Sequence, residues 1–171
     1  MALESKFVNV LGYDLHYRAI GSGDRYFLLL HGFASNLYAW RYIMLPLSKY
    51  GRVIAFDRLG FGLSAVPKKG SWTGSSPYAP SKQSDFIVGF MDALKIDKAI
   101  LIGNSQGGTV ALSTALAHPS RFERIVVADP AVYTSGGPPP SMSRLFDTKA
   151  FRAVGTWLVG KFIAERARIR W

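Results

Sequence analysis

Apolar positions along the chain alternate between short unbroken runs and longer stretches with helical spacing. "KFVNV" (6–10) and "LHYRAIG" (15–21) are β-prone runs separated by "LGYD", a turn signal, and predict an opening hairpin. "YFLLL" (26–30) is continuously apolar and ends at His31-Gly32. It is too short for a core helix and predicts a strand buried on both faces. "NLYAWRYIMLPLSKYG" (36–51) has roughly helical periodicity, with Gly51 where a stop is expected, and "VIAFD" (53–57) predicts a second buried strand. "RLGFGLSAVPKKGSWTGSSPYAPS" (58–81), rich in Gly, Ser and Pro, reads as a loop. "KQSDFIVGFMDALKI" (82–96) predicts a helix in which Phe86, Phe90, Leu94 and Ile96 share a face, with Ser81 or Ser84 near its start. A third strand, "AILIG" (99–103), a helix, "QGGTVALSTALAHP" (106–119), and a fourth strand, "RIVVAD" (124–129), follow.

Strands alternating with helices predict an α/β protein: a mostly parallel sheet with helices on both faces and the hairpin at its start. "SGGPPPS" (135–141) breaks the pattern. It divides the chain into a core, 1–134, and a lid-like helical segment, 135–171. In that segment Phe151, Val154, Leu158 and Phe162 line one stripe, widened by Trp157 and Ile163. Ligands of such sheets bind beyond the carboxyl ends of the strands, where His31-Gly32, Asp57, Ser105 and Asp129 all fall.

Composition narrows the possibilities. Of 171 residues, 49% are hydrophobic, which excludes disorder over most of the length, and none is cysteine, which excludes disulfides, zinc-thiolate sites and a cysteine nucleophile. A cytoplasmic setting is the expectation. There is no signal-peptide pattern and no uninterrupted apolar stretch approaching the ~18 residues of a spanning helix. The net charge is +10, and half of it lies in residues 141–171, where seven basic residues face Asp147 and Glu165. No nucleic-acid fingerprint accompanies that charge. The expected role of the basic stripe is a helix packed over the site or over a second subunit. The alternative is a helix lying on an anionic membrane surface.

The chemistry centres on Gly103-Asn104-Ser105-Gln106-Gly107, a G-x-S-x-G pattern with a strand before it and a helix after it. A nucleophilic serine must stand clear of its backbone on a very tight turn, and Gly103 and Gly107 remove the Cβ atoms that would collide with neighbouring elements. The free N–H groups and positive end of the helix face the place where negative charge develops in acyl transfer. The Gln106 N–H is one expected oxyanion donor. The second is expected from "HGFAS" after the 26–30 strand, at the Phe33 N–H. The alternative for Ser105 is a polar residue in a glycine-rich loop.

"LLLHGFASN", "VIAFDRLGFGLS", "LIGNSQGG" and "AHPSRFERIVVADPA" resemble, in order and spacing, successive blocks of the α/β-hydrolase family from about residue 6 to residue 134. They look closest to single-domain esterases, cofactor-free haloperoxidases and carbon–carbon bond hydrolases. The resemblance implies Ser105 as nucleophile, Phe33 and Gln106 as the oxyanion hole, a lid after the strand ending at Asp129, and no metal or organic cofactor. His31 and Gly32 support the oxyanion loop in that pattern, so His31 is expected to be structural. Asp129 is a candidate to orient a histidine. His118, at the far end of a helix ~18 Å long, cannot reach Ser105. His16 is expected at the sheet surface, Asp57 as a shaper of its loop, and Arg58 as a surface or loop-bracing charge.

Along such chains the order is Ser, acid, then His. The histidine is expected well beyond the lid, and the sequence stops at Trp171, inside the stretch that resembles the lid. The expectation is a serine hydrolase acting on small apolar carboxylic esters, weak or dependent on another chain for its base. The rival is an incomplete family member that binds apolar ligands or a protein partner. An open apolar edge at "RIVVAD" predicts a dimer, through that edge or by exchange of the C-terminal helix.

Overall fold

A computed structural model describes residues 3–130. The lid-like segment 135–171, its basic stripe and any helix exchange lie outside the described residues.

The hairpin forms from β1 (Lys6–Val10) and β2 (Tyr13–Ile20). The turn is tighter than the sequence predicts. Leu11 and Gly12 alone make it, both at positive φ (52° and 87°), so β2 begins at Tyr13. β3 (Tyr26–Leu30), β4 (Arg52–Phe56), β5 (Ala99–Asn104) and β6 (Phe122–Ala128) complete one six-stranded sheet in the order β1-β2-β4-β3-β5-β6. β2 meets β4 antiparallel; β4, β3, β5 and β6 run parallel.

The continuous apolar runs are explained by two cores, one on each face of the sheet. Leu28, Leu30, Ile54, Phe56 and Leu101 point to one, and Phe27, Leu29, Val53, Ala55 and Ile100 to the other. On the first face, α2 (Pro80–Ala93) supplies Phe86, Ile87, Phe90 and Met91, and α3 (Gln106–Ala117) supplies Val110 and Ala111. Phe90 stacks on Phe56 with ring centroids 4.3 Å apart. On the second face lie Leu37, Trp40 and Met44.

Those last residues were expected on a single helix. The segment instead forms a 3-10 turn (Leu37–Trp40), a seven-residue α1 (Arg41–Leu47) and another 3-10 turn (Ser48–Tyr50). Pro46 inside α1 cannot donate the interior hydrogen bond, so the helix stops one residue later. Gly51 then turns the chain at φ 156°, where a Cβ would stand 2.4 Å from the Arg25 carbonyl oxygen. The start of α2 also differs from expectation. Pro80 occupies the first turn and no side chain caps the helix; Ser84 is buried and accepts a hydrogen bond from Thr114 Oγ1 at 3.2 Å.

β6 pairs with β5 alone among the described residues, and Ile125 and Val126 on it are exposed. No helix among the described residues is long and apolar enough to cross a membrane.

Candidate active site

One residue separates β5 from α3, and that residue is Ser105. It sits at φ 52°, ψ −124°, a backbone conformation that costs a non-glycine residue ~1–3 kcal/mol and persists only where neighbours over-determine it. The neighbours are plain. The Ser105 N–H donates to the Ala128 carbonyl of β6 at 2.9 Å, and the Ser105 carbonyl accepts from Gly108 and Thr109 N–H at 2.9 and 3.1 Å. Ser105 itself is half-buried.

Three glycines let the surrounding elements close on this corner. A Cβ at Gly103 would stand 2.4 Å from the Gly107 carbonyl oxygen, and one at Gly107 would stand 2.2 Å from the Leu30 carbonyl oxygen. A Cβ at Gly32 would stand 3.1 Å from the Ser105 Cβ. The loop after β3, the end of β5 and the start of α3 are thus in backbone contact. The Gln106 N–H belongs to the first turn of α3 and has no intrahelical acceptor. Phe33 is 72% exposed, its ring edge-on to Phe61 with centroids 6.1 Å apart.

His31 is wholly buried, and both ring nitrogens are engaged. The Arg58 N–H donates to Nε2 at 3.1 Å, so Nε2 carries no proton; Nδ1–H then donates to the Gly32 carbonyl at 2.8 Å. Burial pushes its pKa down to about 4, against the opposing pull of the Gly32 hydrogen bond. A neutral imidazole with both nitrogens committed braces the loop and takes no proton from Ser105.

His16 is not at the sheet surface. It is 3% exposed, covered by the Phe7 ring at 5.1 Å, and its Nδ1 lies 2.8 Å from Asp57 Oδ2. β2 lies three strands from β5, or ~14 Å at ~4.8 Å per spacing, so His16 does not reach Ser105. His118 caps the far end of α3. Asp129, at φ 48° and exposed, directly follows the residue that holds the Ser105 amide; no hydrogen bond or ion pair joins it to another described residue.

Asp57 shapes far more than its own loop. Besides His16 it accepts the Leu37 N–H at 2.7 Å and the Leu63 N–H at 2.9 Å, and a Cβ at Gly62 would stand 2.0 Å from its Oδ2. Ser64 Oγ–H donates to the Asp57 carbonyl and accepts the His16 N–H. Arg58 is not a surface charge but 4% exposed, and its guanidinium donates to Gln106 Oε1 at 2.7 Å. The signal for these roles was the clustering of Asp57, Gly60, Gly62 and Ser64 within one short stretch, which reads from sequence as loop composition alone. Among the described residues no three potential metal ligands converge. A crevice of about 330 Å³ lined by Tyr17, Tyr26, Arg52 and Ile54 opens at the opposite, amino-terminal ends of β3 and β4, away from Ser105.

Comparison with known proteins places the fold in a known family. The family described as the alpha/beta hydrolase fold matches residues 26–167. A 2-hydroxymuconate semialdehyde hydrolase of Pseudomonas sp. (strain CF600) is 41% identical over 103 residues, covering 58% of this chain and 34% of that protein. An epoxide hydrolase of Caballeronia sordidicola is 36% identical over 115 residues, covering 67% and 33%. The solved structure of a meta-cleavage product hydrolase from Pseudomonas fluorescens IP01, complexed with acetates, superposes with a TM-score of 0.64 at 36% identity, covering 72% of this chain and 43% of that one. The chain spans about a third of the length of these two curated relatives.

Proposed function

The chain belongs to the alpha/beta hydrolase fold family, and on that premise we propose that Ser105 is the nucleophile of an acyl-transfer hydrolase. The observation that carries this reading is the strained corner at Ser105, with Gly32 packed against it and α3 beginning one residue later. Strain at a non-glycine residue held by three elements marks a position where side-chain placement outweighs backbone comfort.

In this reading Ser105 Oγ attacks a carbonyl carbon and loses its proton to a base. The former carbonyl oxygen becomes an anion received by the Phe33 and Gln106 N–H groups. The tetrahedral species collapses with loss of the leaving group, an alcohol from an ester or a carbon acid from a carbon–carbon bond. Water then releases the acid and restores the serine. Small apolar carboxylic esters are the substrates proposed first. Relatives named for semialdehyde and 2-hydroxy-6-oxo-2,4-heptadienoate hydrolysis support carbon–carbon cleavage beside a ketone as the second substrate class for the same serine. No cofactor enters either route. A cytoplasmic setting belongs to the same proposal.

The base is the missing partner. The chain holds three histidines, and none is hydrogen-bonded to Ser105: His16 pairs with Asp57, both His31 nitrogens are committed elsewhere, and His118 lies at the far end of α3. Efficient turnover on this reading needs a base that these histidines do not supply, with Asp129 placed to orient it. Oxyanion stabilisation and binding without a complete triad still give ~10³–10⁴-fold over water, enough for slow attack on an activated substrate. Self-association is part of the proposal, because among the described residues β6 is paired on one side only and carries exposed Ile125 and Val126. That no described histidine is hydrogen-bonded to Ser105 favours a second reading, a family member that binds apolar ligands or a protein partner. Labelling with a fluorophosphonate decides. Stoichiometric modification lost in Ser105→Ala supports the nucleophile, and no labelling supports the binding protein.

A further inference from the structure

We infer that Arg58 is a positioning residue that sets the two oxyanion amides relative to each other. The inference rests on the reading of Phe33 and Gln106 given above and adds what aims them.

Two arms leave Arg58. Its backbone N–H donates to His31 Nε2 at 3.1 Å, which leaves Nδ1–H to donate to the Gly32 carbonyl at 2.8 Å. That carbonyl and the Phe33 N–H are opposite edges of one planar peptide unit. Holding the oxygen on one edge therefore fixes the direction of the N–H on the other. The second arm is the side chain, which donates to Gln106 Oε1 at 2.7 Å. Gln106 is otherwise exposed, and a charge-assisted hydrogen bond to its side chain tethers the first residue of α3. The end of β4 thus holds both the β3 loop and the start of α3.

The chemistry of Arg58 is out of proportion to a packing role. It is 4% exposed, its Nε has no hydrogen-bond partner, and no carboxylate among the described residues lies within ion-pair distance. Burial lowers its pKa to about 10. A buried guanidinium with no counter-ion among the described residues opposes folding, and its cation–π contact with the Phe61 ring, 5.1 Å away, returns only part of that cost. What the cation does supply is the Gln106 bond and a positive charge beside the amides that would receive the oxyanion.

The test uses the full chain and two readouts. In fluorophosphonate labelling, Arg58→Met is expected to lower the maximal inactivation rate by about tenfold or more while leaving the inhibitor's KI within about twofold, and Arg58→Lys to recover part of the rate. Gln106→Met is expected to give a similar loss, and the double variant to be no worse than the poorer single, because both cut one link. Circular dichroism checks folding. Should Arg58→Met unfold, the exposed Gln106 site reads the same link. Maximal rates within about twofold of the parent in folded Arg58→Met or Gln106→Met overturn the inference. If the parent chain is not labelled at all, the reading of Ser105 as nucleophile has failed. The positioning role is then decided by titrating the ¹⁵N-labelled chain with acetate. The Phe33 and Gln106 amide resonances are expected to move together in the parent, with weaker affinity in Arg58→Met and Gln106→Met. No response in the parent, or unchanged affinity in the variants, overturns it.

Discussion

Replacing Asp57 with alanine tests how the front of the sheet is held together. The carboxylate is 2% exposed and accepts three hydrogen bonds, from Leu37 N–H, Leu63 N–H and His16 Nδ1. Leu63 is exposed, so water replaces that bond. Leu37 and His16 are each 3% exposed, and their donors have no such substitute. Two buried donors stranded at ~1–3 kcal/mol each give a loss of about 2–6 kcal/mol, in line with ~3–5 kcal/mol for removing one member of a buried pair. A working value of about 4 kcal/mol is a large part of the ~5–15 kcal/mol typical of a domain. With a urea slope of ~2 kcal/mol/M it moves the midpoint down by about 2 M. Urea titration followed by far-UV circular dichroism measures this directly. Asp57→Asn keeps an oxygen for the Leu37 N–H and is expected to lose less than half as much. A loss below ~1 kcal/mol for Asp57→Ala, or equal losses for Ala and Asn, would refute the reasoning, since either means that these buried donors find other partners.

Four further outcomes are expected. Ser105→Gly relieves the positive φ and raises stability by about 1 kcal/mol over Ser105→Ala in the same titration, while both abolish labelling. Gly107→Ala forces a Cβ against the Leu30 carbonyl and costs ~3 kcal/mol or more, with labelling reduced, because backbone must move to admit it. His31 is neutral in the fold down to about pH 4, whereas the unfolded chain takes up its proton near the ordinary histidine value of 6.5. The unfolded state therefore binds more protons between those values. The His31 contribution is complete above pH 6.5 and is lost as pH falls toward 4, by about 3 kcal/mol, so urea midpoints of His31→Gln should fall less steeply than the parent's over that interval. Val126→Glu, which places a charge on β6, the last strand of the sheet among the described residues, should shift sedimentation toward monomer, and a parent that sediments as monomer at every concentration removes the proposed dimer.

Much of the scaffold was legible because its signals are local. "YFLLL" and "VIAFD" announce doubly buried strands, since a strand with a core on each face tolerates no polar position. Gly103 and Gly107 mark the corner at Ser105, because only a missing Cβ permits contacts of 2.4 and 2.2 Å to neighbouring carbonyls. The helix expected over 36–51 was broken by Pro46, whose effect depends on where the helix starts. Hydrophobic period and glycine placement thus carry the buried strands, the helices after them and the tight corner at Ser105 within the sequence itself. The Asp57–His16 and Arg58–Gln106 pairs are another matter, because their members sit 41 and 48 residues apart along the chain. A buried polar side chain chooses its partner through the register of strands that are not sequence neighbours, such as Tyr17 opposite Phe56. Only the folded sheet brings such groups into contact, so tertiary structure alone decided that His16 is internal and that Arg58 joins the β4 end to Gln106.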